Sequence, residues 1–145
     1  MTTTIRQATP EDAEQILEVR LSVRENVLTP QRLEELGIHV ESVAEMIRST
    51  HSTHCAFEGD RMVGFSMGDL AAGVVFALFV RPDSEGTGLG KRLLGIVVEE
   101  LWQRGHPRLT LGTGPGTRAY TFYQRQGWRP TGRMDGDDEV LELLR

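Results

Sequence analysis

The segment Val80-Arg81-Pro82-Asp83-Ser84-Glu85-Gly86-Thr87-Gly88-Leu89-Gly90-Lys91-Arg92-Leu93 carries the strongest chemical signal in this chain. Glycines at 86, 88 and 90 permit positive φ angles, and they let a ligand approach backbone that no Cβ shields. An amphipathic run follows at once, so the loop leads into a helix. The first N–H groups of a helix have no intrahelical partner and sit at the positive end of its dipole. Such a place binds phosphate or diphosphate. Lys91 and Arg92 add positive charge there, and Lys91 is the only lysine beside fifteen arginines.

Two common phosphate loops are excluded. A Walker loop needs a glycine five positions before its Gly-Lys pair and Ser or Thr after it. Here those positions hold Glu85 and Arg92. The dinucleotide fingerprint needs a third glycine three residues after the second. Counting from Gly86 gives Lys91, and counting from Gly88 gives Leu93.

Other reactive side chains are fewer. His51, His54 and Cys55 lie close in sequence, but no further ligand clusters with them, so no metal site is expected. Arg118 stands near a predicted helix start, where positive charge is unfavourable unless an anion faces it. From spacing alone, Tyr123 is a helix-face residue packing beside Phe122. Arg24, Glu25 and Asn26 form a polar cluster where the first helix ends.

The elements that must position these groups follow from periodicity and punctuation. Thr3 to Gln7 reads as an edge strand. Thr9-Pro10-Glu11-Asp12 is a helix start, and Ala13, Ile16, Leu17 and Leu21 continue it at helical spacing. Thr29-Pro30 repeats the start signal, and Gly37 reads as a stop. Val40, Val43, Ala44 and Ile47 make another short amphipathic helix. The pattern changes at His54, the approach to a strand. Cys55 to Glu58 and Met62 to Met67 flank Gly59-Asp60 as a hairpin. Val74 to Val80 is continuously apolar, as in a strand buried on both faces. After the glycine loop, Leu89, Leu93, Val97 and Leu101 form one helical stripe, closed by Gly105-His106-Pro107. Leu109 to Leu111 is a short strand. Thr117 to Gln126 is a helix with Ala119, Phe122 and Tyr123 inward, stopped by Gly127. Trp128 to Arg133 and Glu139 to Leu144 are the last strands. The order reads βααββ, then βαβαββ: an α/β or α+β fold with a mixed sheet and a parallel crossover around the loop.

With 145 residues, 39% of them apolar and 26% charged, the expected organisation is one domain over residues 1–145 with one core. The net charge of −5 argues against a nucleic-acid footprint. No apolar run approaches the ~20 residues that span a bilayer, so no membrane partner is expected. The first residues carry no apolar stretch of signal-peptide type. One cysteine excludes an internal disulfide. A cytoplasmic location is the expectation.

Two blocks together resemble the GNAT superfamily of acyl-CoA-dependent N-acetyltransferases. The first is Leu78-Phe79-Val80-x-Pro82 followed by Glu85-x-x-Gly88-x-Gly90, which resembles that family's Gln/Arg-x-x-Gly-x-Gly/Ala loop. The second is Ala119-x-x-Phe122-Tyr123-x-x-x-Gly127-Trp128, similar to its tyrosine-bearing helix. The blocks cover Val74 to Trp128 with matching spacing. The sequence departs at Glu85, where Gln or Arg is usual, and at Gly116, where many relatives have an asparagine. A carboxylate beside a diphosphate is repelled, so the Glu85 side chain is expected in solvent, with weaker coenzyme affinity as the result.

The resemblance implies the GNAT fold: a mixed central sheet flanked by helices, with a splayed parallel strand pair. Acetyl-CoA is the implied acyl donor, with no metal. Leu78, Phe79 and Val80 would hold its pantetheine arm, and Gly86, Thr87, Gly88, Leu89, Gly90 and Lys91 its diphosphate. Arg118 would meet a phosphate. Tyr123 would contact the coenzyme and donate a proton to the departing thiolate. Arg24, Glu25 and Asn26 would line the acceptor site. Asp69 and Glu25 are the acids nearest to a role as base, since the strand Val74 to Val80 has none, and a water could carry the proton instead. The implied function is acetyl transfer to a primary amine of a small molecule or protein, by direct attack in a ternary complex. The alternatives are a non-catalytic coenzyme A sensor and, third, a nucleotide-binding switch. Relatives are often homodimers.

Overall fold

The computed structural model describes residues 2–49 and 51–145. Seven strands form one sheet: β1 (Thr3–Gln7), β2 (His51–Glu58), β3 (Arg61–Asp69), β4 (Val74–Val80), β5 (Arg108–Thr113), β6 (Arg129–Asp135) and β7 (Asp138–Leu144). Their order across the sheet is β1-β2-β3-β4-β5-β7-β6. Only β4 and β5 run parallel; the other neighbours are antiparallel. That is the mixed sheet with one parallel crossover that the element order implied.

Five helices cover the sheet: α1 (Ala13–Ser22), α2 (Pro30–Glu35), α3 (Val40–Arg48), α4 (Leu89–Gln103) and α5 (Arg118–Arg125). Three of them stand between β1 and β2, one for each of the three helix signals read there, although the condensed order βααββ counts two. Gly37, at φ +73, lets the chain reverse between α2 and α3. The first helix begins later than its signal suggests. Pro10–Asp12 forms a 3-10 turn, and Asp12 turns back to accept the Thr9 N–H at 2.8 Å. The second strand starts earlier, so His51 and His54 lie on β2 itself.

The core divides by face. Ala13, Ile16 and Val19 of α1 and Val43 and Ala44 of α3 pack with Cys55, Phe57, Met62 and Phe65 on one side. Leu94, Val97 and Leu101 of α4 pack with Val75, Leu109, Leu111, Tyr123, Trp128 and Leu141 on the other. A smaller group, Ala56, Val63, Leu89 and Leu93, extends the α4 side toward β2. Burial makes the Cys55 thiol a poor acid, pushed up to about 12.

Two glycines let α4 lie close to β3. A Cβ on Gly68 would stand 2.5 Å from Val97 Cγ2. One on Gly64 would stand 3.1 Å from the Phe79 carbonyl and 3.2 Å from Leu93 Cδ1. The missing side chains set how near α4, and the loop that feeds it, comes to the sheet.

The strand β4 corrects the expectation of burial on both faces. Its register against β3 places Met67 opposite Ala77 and Gly68 opposite Val75, so Phe76 is an extra residue. This is a β-bulge, which bends the strand and reverses the alternation of its side chains. Val75 therefore faces α4 together with Leu78 and Val80, while Ala77 and Phe79 face α1. Phe76 is 58% exposed. An unbroken apolar run does not reveal such a change of phase.

Candidate active site

The bulge opens the sheet. β4 pairs with β5 at a single register point, Val74 opposite Thr110, and the Thr110 N–H donates to the Gly73 carbonyl at 3.1 Å. Beyond Val74 the two parallel strands separate. The Arg81 N–H donates to the Val63 carbonyl of β3 at 2.8 Å. Backbone groups alternate sides along a strand. Residues 79 and 81 thus address β3, and Leu78 and Val80 address the open side. The two residues singled out in the sequence present free backbone to the gap.

The glycine loop follows directly. Pro82–Ser84 forms a second 3-10 turn, and the Thr87 hydroxyl donates to the Ser84 carbonyl at 2.7 Å. Gly86 and Gly88 have φ of +76 and +83, and a Cβ at either would meet no atom within 4 Å. Open space lies in front of bare backbone. Gly90 differs from the expectation, because it lies within α4 rather than at positive φ. A Cβ there would stand 3.7 Å from Phe122 Cζ and 3.9 Å from Val80 Cγ2, so this glycine marks where α4, α5 and β4 converge.

The helix starts differ in a telling way. Thr29, His39 and Thr117 each accept a backbone N–H of the helix they precede, in α2, α3 and α5. At α4 the N-cap is Gly88, with no side-chain cap. The first N–H groups of α4 are left for an external acceptor. Lys91 and Arg92 are exposed beside them.

Charge around the loop departs from the sequence reading. Glu85 does not simply reach into solvent: its carboxylate pairs with Arg118 at the start of α5. The ion pair neutralises the unusual acid, and it gives Arg118 the anionic partner that its place at a helix start requires. Glu25 Oε1 accepts the Arg118 N–H at 3.0 Å, which ties the segment after α1 to the same corner. Thus Glu25, Glu85 and Arg118 come together, while Arg24 is exposed and Asn26 holds φ +56, alone in the positive range among described non-glycine residues.

Tyr123 is 7% exposed and packs between Phe122 and Trp128, with ring centroids 5.4 and 6.2 Å away. Its cluster includes Val75 of β4 and Leu109 and Leu111 of β5, and Leu78 packs against it. The ring therefore shares a cluster with residues of both separating strands. Burial raises its pKa, so at neutral pH it carries its proton. Ala119 is exposed, contrary to its expected inward position. Tyr120 turns inward instead and donates to Glu139 at 2.9 Å.

Both expected acids hold backbone N–H groups. Asp69 Oδ1 accepts the N–H groups of Ala71 and Ala72, at 3.0 and 3.1 Å, in the turn before β4. That turn lies at the far end of β4 from the glycine loop. Glu25 is engaged with α5. His54 Nε2 meets Glu100 at 3.1 Å, and the Ser49 hydroxyl lies 2.7 Å from His51 Nδ1. Among the described residues, no three His, Cys, Asp or Glu side chains are grouped as metal ligands.

One polar residue escaped the sequence reading. Arg20 continues the core-facing stripe of Ala13, Ile16 and Leu17 and lays its guanidinium over the Phe79 ring, 4.4 Å from the centroid. The stripe spacing marks position 20, but a charged side chain there is easily taken for a solvated one.

The acetyltransferase (GNAT) domain family matches residues 24–141. The chain belongs to the GNAT acetyltransferase family. It is a family of acetyltransferases, and the matched residues take in the splayed parallel pair and the glycine loop described above. A curated relative, an uncharacterized ycf52-like N-acetyltransferase of Prochlorococcus marinus, is 35% identical over 71 residues. That match covers 47% of this chain and 38% of the relative, so the chain spans well under two thirds of that protein. Among solved structures, the PaiA N-acetyltransferase of Thermoplasma acidophilum, in complex with coenzyme A, aligns over 100% of both chains with a TM-score of 0.86 and 19% identity. The ribosomal-protein-S18-alanine N-acetyltransferase of Escherichia coli aligns over 97% of this chain and 91% of its own, with a TM-score of 0.72 and 16% identity. At such identities these structures share the GNAT fold with this chain. No helix among the described residues is long and apolar enough to cross a membrane.

Proposed function

We propose that this chain transfers an acetyl group from acetyl-CoA to a primary amine of a small molecule or protein, by direct attack in a ternary complex. The observation that carries this reading is the uncapped start of α4 behind Gly86 and Gly88, set at the open edge of β4. Backbone N–H groups from Gly86 to Lys91, with Thr87 and Leu89 between the glycines, hold the diphosphate. Backbone at Leu78 and Val80, on either side of Phe79, holds the pantetheine arm as an added strand would be held. Arg118 reaches a coenzyme phosphate once it leaves Glu85. Arg24, Glu25 and Asn26 border the acceptor's entry.

Acetyl-CoA supplies a thioester, whose acyl carbon bonds to the amine nitrogen as its carbon–sulfur bond breaks. Amides near Leu78 to Val80 stabilise the developing oxyanion. Tyr123 gives its phenolic proton to the leaving sulfur and regains one from solvent. The amine must lose a proton to attack, because at a pKa of about 10.4 an alkylamine is charged at neutral pH. With Asp69 and Glu25 engaged, water removes that proton.

The test is direct. Purified protein is incubated with acetyl-CoA and a panel of primary amines, and free thiol is followed. Amine-dependent thiol release is expected. Coenzyme A binding without turnover of any amine indicates a sensor instead. Stronger thermal protection by ATP or GTP than by coenzyme A overturns the reading altogether.

A further inference from the structure

Arg20 and Arg81 are the two described arginines withdrawn from solvent, and they flank the same end of β4. Arg81 has partners at two of its nitrogens. Its Nε donates to the Met62 carbonyl at 2.7 Å, and its Nη2 lies 3.7 Å from Glu18 Oε2. Arg20 has no such engagement. Its Nη1 is buried without a hydrogen-bond partner among the described residues, and no carboxylate pairs with it. Burial depresses its pKa, yet a guanidinium stays charged. Half-burying a cation without a counter-charge costs stability. A leucine would suit this stripe position on α1.

The location gives the charge a use. Leu78 and Val80 fill the α4 face of β4 by packing toward Leu89 and Leu93. An amine approaching the open edge must come from the other face, where Phe79 carries Arg20. The exposed Phe76 lies on that face too, beside His51 with ring centroids 6.2 Å apart. Resting on the acetyltransferase reading, we propose that Arg20 binds an anionic oxygen group, carboxylate or phosphate, on the acceptor amine. The substrate class is then a small amine that bears its own negative charge. Guanidinium matches either group by paired hydrogen bonds. The same charge repels a polyamine.

The test compares acceptors that differ in charge: β-alanine and phosphoethanolamine against propylamine, with spermidine as the polycation. Wild type, Arg20→Gln and Arg20→Lys are assayed by thiol release, with acetyl-CoA binding and Tm measured beside them. The wild type is expected to prefer an anionic amine. Arg20→Gln should lower kcat/KM for that amine by roughly 10- to 100-fold, the value of a charged hydrogen-bonded contact. It should leave propylamine turnover, acetyl-CoA affinity and Tm unchanged or improved, and Arg20→Lys should recover part of the loss. Preference between β-alanine and phosphoethanolamine assigns carboxylate or phosphate. Intact acetyl-CoA binding with neutral amines used as well as anionic ones overturns the Arg20 assignment alone. So does an equal loss for all amines in Arg20→Gln, or failure of both anionic amines to react. Absence of acetyl-CoA binding overturns the acetyltransferase reading and the assignment with it.

Discussion

The two edges of β4 are held very differently. Toward β3 it is paired at six positions, from Asp69 opposite Val74 to Gly64 opposite Val80. Toward β5 it is paired at one. Both edges belong to one apolar heptapeptide, Val74–Val80, so composition does not separate them. The difference lies in one added residue. Phe76 bulges the strand, which stays bound to β3 while leaving β5. The closed edge supplies rigidity, and the open edge leaves the backbone groups that the proposed function assigns to the coenzyme. A site built on strand rather than on loop keeps those groups in fixed positions.

The largest expected effect attacks the open edge. Gly88→Asp places a side chain and a negative charge in front of the uncapped helix start. Coenzyme A binding, measured by calorimetry, should be lost, with Kd raised roughly 100-fold or more, while the core persists because the added side chain meets no neighbouring atom and the strain of a non-glycine residue at φ +83 falls on the loop alone. Unchanged affinity removes the diphosphate from this loop.

The closed edge is broken next. Gly68→Val should force α4 from β3, because even a Cβ would approach Val97 within 2.5 Å. A loss of about 1–3 kcal/mol is expected in chemical denaturation, the usual cost of overpacking. Tyr123→Phe sharpens the contrast at the fork. It keeps the ring in its cluster, so coenzyme affinity and stability should hold, while turnover falls by roughly 100-fold. Full activity removes the phenol from the chemistry.

Asp12 anchors the closed half through Arg6, whose Nη atoms reach its carboxylate at 2.8 and 3.0 Å. The Arg6 hydrogen bond holds its pKa below the usual carboxylate value. The resulting stability is present above the ordinary value of about 4 and fades as pH falls through the lowered one. Asp12→Asn should cost about 1–2 kcal/mol at pH 7, with the gap from wild type closing in acid. A gap that persists in acid assigns the loss to packing. The smallest effect is expected for Glu85→Gln, which frees Arg118 and removes a carboxylate near the diphosphate. Coenzyme A should bind a few-fold more tightly, with the gain shrinking at high salt.

Local signals were legible in the sequence. The bounds of β4, the Gly59-Asp60 hairpin, the Thr29-Pro30 and Thr117 helix starts and the Gly127 stop all follow from short-range rules. So did the loop at Gly86 and Gly88. What escaped was phase and distance. Phe76 has no glycine or proline to mark its bulge, so the strand read as buried throughout. Glu85 meets Arg118 across 33 positions and Glu25 meets it across 93, beyond any periodicity. Arg20 was hidden by its type, since an arginine on an apolar stripe is ordinarily read as reaching for water.

Phe76 also makes the strand's length a hidden variable. Because side chains alternate every second residue, removing this single residue would restore one uninterrupted phase along β4. Val75 would keep its face and fall into step with Leu78 and Val80, and the fork beside Tyr123 would be free to zip shut. Homologous chains could change every apolar letter of the segment and keep the cleft, yet a chain shorter by one there would lose it.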